Sequence, residues 1–203
     1  MQNAEIELKF PVYDPTALQA LLPGLGLHLE TPRTFEHNTL YDTSARDLRA
    51  RTQLLRLRQY GNVCTLTHKR LPDNYLPESR YKTRIETETT IANCDAMAEI
   101  FKQLGYVPAF IYEKYRTEWS HPISPDSATL AHLVIDETPI GIYAELEGPP
   151  DWIDQALIDL HIDLATCLTD SYGKLFLDWK QRTGHPAENP TVAEITTPAL
   201  AIR

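Results

Sequence analysis

The sequence predicts an α+β fold in which about eight antiparallel strands form a closed barrel and amphipathic helices pack outside it. Charged and apolar residues alternate along most of the extended segments, which is the period-two pattern of a strand. Most of these segments are joined by short loops, which favours antiparallel pairing. Eight antiparallel strands can close on themselves, and closure removes both edges of the sheet.

Composition limits the class of protein. The chain has 203 residues, of which 42% are hydrophobic and 23% charged, so it is globular and long enough to bury a core. Its net charge of −9 makes nucleic acid and anionic membrane surfaces poor partners. No N-terminal run resembles a signal peptide, and no segment reaches the ~20 apolar residues of a spanning helix. We therefore expect a monomer or homodimer that contacts neither nucleic acid nor membrane.

The three cysteines, Cys64, Cys94 and Cys167, are isolated in the sequence. They follow neither a zinc-site spacing nor a disulfide framework, so we expect them to be reduced. This pattern indicates a cytoplasmic protein.

The elements follow one another along the chain in a simple order. Glu5 to Phe10 forms the first strand, and Asp14-Pro15 opens a helix that ends at Pro23-Gly24. The later segments are predicted as a short extended run Asn38 to Tyr41, a hairpin of Leu54 to Gln59 and Val63 to Lys69, a strand Arg80 to Ile91, a helix Asp95 to Leu104, a strand Pro108 to Trp119, a hairpin of Ala131 to Asp136 and Gly141 to Leu146, and helices Pro150 to Leu160 and Thr169 to Arg182.

The charged strand faces allow two arrangements. In one, every charged face points to water and the apolar faces share an inner core. In the other, the charged faces line the inside of the barrel and the helices cover the apolar faces from outside. Five or six strands share the alternation, and like charges repeat along one face at Arg56/Arg58 and Glu145/Glu147. We favour the inward arrangement, since an eight-stranded barrel has room for side chains or one small ligand.

An interior of this kind needs a ligand, because buried unpaired charge is costly. Carboxylates at this density suit Mg²⁺ or Mn²⁺ better than zinc, and arginine and lysine are the usual partners of phosphate oxygens. The combination predicts a site for a metal-bound polyphosphate. The carboxylates are Glu5, Glu7, Glu86, Glu88, Asp136, Glu145 and Glu147, and the bases are Lys9, Arg56, Arg58, Lys69, Arg84, Lys114 and Arg116.

Several motifs, taken together and in order, resemble the CYTH superfamily, also called triphosphate tunnel metalloenzymes. The resemblance covers about residues 4 to 180. It implies one tunnel domain over residues 1–183. After Gly184 the chain has three prolines and few large side chains, which predicts a mobile or loosely docked tail over residues 184–203. The motifs are Glu5-x-Glu7-x-Lys9, Arg56-x-Arg58, Lys69, Arg84-x-Glu86-x-Glu88, Glu113-Lys114-Tyr115-Arg116, Asp136, Glu145-x-Glu147, and Ser171-Tyr172 with Lys174.

The resemblance also implies roles for these residues. The seven bases and Lys174 would bind the triphosphate, and the seven carboxylates would hold Mg²⁺ or Mn²⁺. Tyr41 lies where family hydrolases place a tyrosine beside the signature lysine, so a Lys9–Tyr41 pair would orient or deprotonate an attacking water. An equally good interpretation of Tyr41 is a residue that fills space at a strand end.

Three functions remain open from the sequence. The first is a phosphohydrolase acting on tripolyphosphate or on an organic triphosphate such as thiamine triphosphate. The second is a class IV adenylyl cyclase, which converts ATP to cyclic AMP and pyrophosphate. The third is a non-catalytic polyphosphate-binding domain. We rank hydrolysis first, because it needs no base recognition and the sequence shows no clear adenine-reading group.

Overall fold

Eight antiparallel strands form a closed barrel in the computed structural model of the protein, which describes residues 2–76, 78–123 and 130–195. Their order around the barrel is β1-β5-β4-β3-β2-β6-β7-β8. The strands are β1 (Gln2–Pro11), β2 (His28–Thr43), β3 (Leu54–Tyr60), β4 (Val63–Arg70), β5 (Lys82–Ile91), β6 (Tyr106–Pro122), β7 (Leu130–Thr138) and β8 (Gly141–Glu147).

The first strand closes the barrel. It pairs with β5 on one side, where Glu5 faces Arg84, and with β8 on the other, where Lys9 faces Glu145. Because β1 has a hydrogen-bonded neighbour on each side, it closes the sheet and leaves no unpaired edge there. The predicted eight-stranded antiparallel barrel is confirmed.

Five α-helices accompany the barrel, and none in the described part of the chain is long and apolar enough to cross a membrane. Three of them begin where a polar side chain caps the first turn: Asp14 accepts a hydrogen bond from the Ala17 amide at 2.9 Å, Asn93 accepts one from the Ala96 amide at 3.0 Å, and Ser171 accepts one from the Lys174 amide at 3.3 Å. The helices are α1 (Pro15–Leu21), α2 (Asp47–Ala50), α3 (Cys94–Gln103), α4 (Pro150–Asp159) and α5 (Tyr172–Thr183).

The apolar core lies outside the barrel wall. Leu8 and Phe10 of β1 point outward and pack in one cluster with Leu22, which follows α1, and with Ile153 of α4. Because side chains alternate across a strand, the residues between them, Glu7 and Lys9, point inward. The inward arrangement of the charged faces is therefore confirmed, with the helices shielding the hydrophobic faces from water.

The expectation that all three cysteines are reduced is wrong for two of them. Cys64 of β4 and Cys94 at the start of α3 form a disulfide, with their Cα atoms 5.8 Å apart, while Cys167 is free. The two residues are 30 positions apart in sequence, and the pairing of β4 with β5 brings them together, since Cys64 lies opposite Ile91, three residues before Cys94. The cysteine pattern thus gives no support to a cytoplasmic location.

The segment after α5 packs against the barrel as far as Ile195. It runs beside the part of β6 that precedes its pairing with β7: the Ile111 amide donates to the Asn189 side chain at 2.8 Å, and the Glu113 amide donates to the Pro190 carbonyl at 3.1 Å. Ile195 is buried in a cluster with Phe176 of α5. Residues 196–203 of the predicted tail lie outside the described residues.

This docking predicts a measurable contribution of the segment to stability. Ile195 is only 3% exposed, so Ile195→Ala should lower the free energy of unfolding by about 2 kcal/mol through lost burial and a residual cavity. Val192, which is 52% exposed, provides the matched control, and Val192→Ala should stay within about 0.5 kcal/mol of the parent. Denaturant unfolding measures both, and equal effects would argue against docking in solution.

Candidate functional site

The barrel encloses a cavity of about 800 Å³, which lies within the range of small-molecule sites. Its wall is made of the inward side chains of the strands, and the start of α5 contributes Ser171, Tyr172 and Gly173. Seven lysine and arginine side chains and eight glutamates line it. These are Lys9, Arg56, Arg58, Lys69, Lys82, Lys114 and Arg116, with Glu5, Glu7, Glu30, Glu86, Glu88, Glu118, Glu145 and Glu147.

Three neighbouring groups hold Lys9 inside the cavity: a carboxylate, a backbone carbonyl and an aromatic ring. Its ammonium lies 2.7 Å from a carboxylate oxygen of Glu145, 3.1 Å from the Asp170 carbonyl oxygen and 4.4 Å from the centre of the Tyr172 ring. Burial by itself opposes its charge, but the carboxylates of Glu145 and Glu7 outweigh burial and raise the pKa of Lys9. The side chain is therefore a fixed positive charge at neutral pH.

Three of the predicted metal ligands converge. Glu5, Glu7 and Glu147 each present a carboxylate oxygen, and the three oxygens lie within 4.8 Å of one another. Burial and the neighbouring charges of Glu5 and Glu145 raise the pKa of Glu147 to about 8. Glu5 and Glu7 also pair with Lys69 and Lys82. Carboxyl oxygens this close together are the donor set that a hard divalent cation binds, so these residues fit Mg²⁺ or Mn²⁺.

The other four predicted metal ligands are engaged by protein groups. Arg116 makes a two-pronged contact with Asp136, with both distances 2.7 Å, and also reaches Glu145 at 2.8 Å. Lys69 lies 3.2 Å from Glu86, and the Thr67 hydroxyl donates to Glu88 at 2.7 Å. The wall on this side is organised by ion pairs and hydrogen bonds.

Two arginines of β3 retain unused donors. The Nε atoms of Arg56 and Arg58 are buried and, within the described residues, have no hydrogen-bond partner. Their guanidinium groups lie 3.7 to 4.0 Å from the nearest carboxylate oxygens, which is too far for a direct hydrogen bond. Unused buried donors are costly, and the arginine fork matches phosphate oxygens.

Two predicted site residues, Tyr41 and Lys174, lie elsewhere, and Arg84 lies on the inward face of β5. Tyr41 points outward and packs on Phe101 of α3, with ring centres 4.9 Å apart, because the alternation that turns Leu40 into the cavity turns Tyr41 away. The structure therefore does not bring Tyr41 and Lys9 together. Lys174 pairs with Asp178 on the exposed side of α5. Arg84 lies opposite Glu5 on the inward face of its strand, and it donates to the Thr83 carbonyl at 3.1 Å.

Sequence reasoning missed several residues of this site. Glu36 is fully buried, and although burial opposes its charge, Lys114, Arg116 and Arg58 lower the pKa of Glu36 to about 2. Tyr172 donates to Asp136 at 2.6 Å. Glu36 gave no signal, since its strand was predicted only from Asn38, whereas Tyr172 belonged to a motif whose role stayed unassigned.

Lys82 also reaches the interior. Its ammonium lies 2.5 Å from a Glu7 oxygen, and it shares the inward face of β5 with Glu86. Alternation alone puts Lys82 on the charged face of its strand, but it does not tell whether that end of the strand faces water or the tunnel. The antiparallel register of β5 with β1 decides this, since Lys82 lies opposite Glu7.

The fold and the site define a class of protein: a closed β-tunnel whose wall carries a carboxylate cluster and a set of lysines and arginines. The sequence model of the CYTH domain matches residues 3–148. The chain belongs to the CYTH domain family.

Solved structures show the same fold. A candidate adenylate cyclase from Vibrio parahaemolyticus is 19% identical, with 85% of this chain and 97% of that chain covered and a TM-score of 0.67. A conserved hypothetical protein from Pyrococcus furiosus is 18% identical, with 84% and 99% covered and a TM-score of 0.67. A candidate adenylyl cyclase from Hippeastrum, described as having a dominant triphosphatase activity, is 22% identical, with 88% and 96% covered and a TM-score of 0.59. No curated protein matches the chain.

The raised pKa of Glu147 leads to a prediction about metal binding. Because its folded-state pKa lies above the ordinary value of 4.5, protonated Glu147 favours the folded state, and this advantage is lost as pH rises toward 8. At pH 9 without metal, Glu147→Gln should therefore melt no lower than the parent. Mg²⁺ or Mn²⁺ at 100 times its dissociation constant should stabilise the parent by about 2.7 kcal/mol, and Glu147→Gln should lose most of this gain.

Differential scanning calorimetry with and without the cation measures both effects. Glu99→Gln is the control, since Glu99 lies on the surface of α3, and this variant should keep the full stabilisation. Undiminished stabilisation of Glu147→Gln by the cation would count against the carboxylate cluster as the metal site.

Proposed function

We propose that the protein is a divalent-metal-dependent phosphohydrolase that cleaves a triphosphate inside the tunnel. The observation that carries the proposal is the pairing of two complementary groups in one cavity. The carboxylate cluster of Glu5, Glu7 and Glu147 suits Mg²⁺ or Mn²⁺, and three strands further round the barrel Arg56 and Arg58 hold unused donors. A metal-bound polyphosphate satisfies both groups at once.

The residues of the chain would act mainly by binding and charge neutralisation. Arg56, Arg58 and Lys69 would hold phosphate oxygens on one wall, and Lys114 and Arg116 on another, as positioned donors for charge that develops on the phosphoryl group. Lys9 is protonated, so its role is to contact the phosphate chain and to orient the attacking water rather than to remove its proton. The bound cation would neutralise phosphate charge and polarise a phosphoryl oxygen.

Hydrolysis is favoured over cyclisation by what each reaction requires. A hydrolase needs only the charged part of the tunnel and a water, whereas a cyclase must also fix a ribose hydroxyl in line with the α-phosphorus. The description of the Hippeastrum protein as a dominant triphosphatase supports this order. The name of the Vibrio parahaemolyticus protein keeps adenylyl cyclase as the second candidate.

The assay that separates these functions measures three products together. The purified protein is incubated with Mg²⁺ or Mn²⁺ and, in separate reactions, with tripolyphosphate, thiamine triphosphate and ATP. Orthophosphate release identifies the hydrolase, and cyclic AMP with pyrophosphate identifies the cyclase. Binding without any product would leave only a polyphosphate-binding domain.

Two substitutions test the site itself. Glu7→Gln removes a metal-ligand charge and Lys9→Ala removes a phosphate contact, so each should lower kcat/KM by about a hundredfold or more, while circular dichroism shows that the fold persists. Lys102→Ala is the control, since Lys102 is 76% exposed on α3. Parent-like activity in both site variants would overturn the tunnel as the place of catalysis.

A further inference from the structure

Helix α3 covers the outer face of three barrel strands. It connects β5 to β6, and β4, β3 and β2 lie between those two strands in the barrel. Outward side chains of these three strands form a hydrophobic cluster with the helix, and its buried members are Tyr41, Leu57, Cys64 and Phe101. The helix therefore shields the back of this part of the barrel wall from water.

Apolar contacts alone hold α3 weakly. Among the ten residues of this helix, all of which the structure describes, only Phe101 is buried, and Ile100 beside it is 47% exposed. A helix of this length is not stable by itself in water, so its order depends on its attachment to the barrel. The disulfide from Cys94, the first residue of the helix, to Cys64 of β4 is therefore a principal anchor of its N-terminal end.

The wall that α3 covers carries, on its inner side, the two arginines with unused donors. In β3 the side chains of Leu55 and Leu57 point toward the helix, while Arg56 and Arg58 point into the cavity. Arg56 reaches the Thr67 hydroxyl only at 3.3 Å, and the carboxylate oxygens nearest to the two arginines lie 3.7 to 4.0 Å away. With such long contacts, the positions of both guanidinium groups depend on the backbone of β3.

The two cysteines of the disulfide differ in exposure. Cys64 is 8% exposed within the cluster, whereas Cys94 is half-buried and lies between two exposed residues, Asn93 and Asp95. Exposed disulfides are the ones open to thiol–disulfide exchange, because the attacking thiolate must reach a sulfur atom. Cys94 therefore gives access for exchange, and the thiol of reduced Cys64 fits the cluster as a small hydrophobic side chain.

We propose that Cys64 and Cys94 form a thiol–disulfide modification site, at which a low-molecular-weight disulfide such as glutathione disulfide fixes α3 to the barrel and a low-molecular-weight thiol releases it. In the oxidation, the Cys94 thiolate attacks glutathione disulfide, forms a mixed disulfide with one glutathione and expels the other as a thiolate. The Cys64 thiolate then attacks the Cys94 sulfur and expels the second glutathione.

The two steps balance as one exchange. The cysteine pair loses two electrons, glutathione disulfide gains them, and the protons of the two cysteine thiols end on the two glutathione thiols. Reduction by glutathione follows the same steps in reverse, with the attack on the exposed Cys94 sulfur and Cys64 as the leaving thiolate.

The modification would act on phosphate binding through β3. Once the first turn of α3 is released, the helix separates more often from the wall, and β3 loses part of its outer cover. Arg56 and Arg58 are then held less firmly, so the reduced protein should bind polyphosphate less tightly. The carboxylate cluster lies on β1 and β8, which pack beneath α1 and α4 instead, so cation binding should persist. This effect on phosphate rests on the proposed function, whereas the redox control of α3 does not.

The first measurements follow the cysteine pair and α3 without any substrate. Alkylation and mass spectrometry should find only Cys167 free in glutathione disulfide, and all three cysteines free in millimolar glutathione. Reduction should lower the melting temperature by about 10 °C and speed amide hydrogen exchange in α3 about tenfold, with exchange in α5 unchanged. Cys94→Ala should resemble the reduced parent in both buffers, and Cys167→Ala, the matched control, should respond as the parent does.

The second measurement is tripolyphosphate binding with Mg²⁺ in both buffers, well below either melting temperature. The Kd should be about tenfold higher for the reduced parent, while stabilisation by Mg²⁺ alone should not change. A disulfide that persists in millimolar glutathione, or equal Kd values for the two forms, would overturn the modification site and leave a structural disulfide. Absence of tripolyphosphate binding in both forms would overturn the proposed function, and a reversible change of exchange in α3 would still support the redox control of that helix.

Discussion

Pairing of buried opposite charges is the constraint on which the rest of this structure depends. Lys9 contacts Glu145 at 2.7 Å, Lys69 contacts Glu5 at 2.6 Å, and Arg116 binds Asp136 through two hydrogen bonds. An uncompensated charge at such positions costs several kcal/mol, so each inward charge is tolerable only near a partner or a ligand. Two features therefore mark where a ligand is expected: the unused arginine donors on β3, and the carboxylates of β1 and β8, which lie close together even where a lysine pairs with them.

A charged interior moves the hydrophobic core to the outside of the barrel. The outward faces are covered by separate clusters: β1, β7 and β8 beneath α1 and α4, and Leu57 with Tyr41 beneath α3. Stability and chemistry are thus assigned to opposite faces of the same strands. Leu40 and Leu54 are exceptions to this division, since they are apolar residues that line the cavity.

Much of the fold could be predicted because the charge pattern is local. Period-two alternation in Leu54 to Gln59 or Gly141 to Leu146 identifies strands from a few residues, and capping residues such as Asp14 identify helix starts. The second strand was predicted only from Asn38 to Tyr41, whereas β2 begins at His28. Its first half is polar and contains Pro32, and its pairing with β6 has register shifts, so long-range pairing rather than local pattern defines it.

The sequence by itself determined which residues share a strand face, since side-chain direction is a local property of extended backbone. It therefore indicated Glu5, Glu7 and Lys9 as a set, and Arg56 with Arg58 as another. Only the tertiary structure decided which sets meet, because β1 lies between β5 and β8, strands that are distant in sequence. That placement selects Glu5, Glu7 and Glu147 from seven candidate carboxylates.

Long-range packing also explains why some residues lie in places that the sequence did not predict. Alternation turns Tyr41 outward once Leu40 faces the cavity, but only the packing of α3 places Tyr41 against Phe101, and only the packing of α5 leaves Lys174 at the surface. Long-range packing also places Glu36 and Tyr172 in the interior, and it brings Cys64 and Cys94 together on the outer face of the barrel. Local alternation gave the faces of the strands, and long-range pairing gave the site.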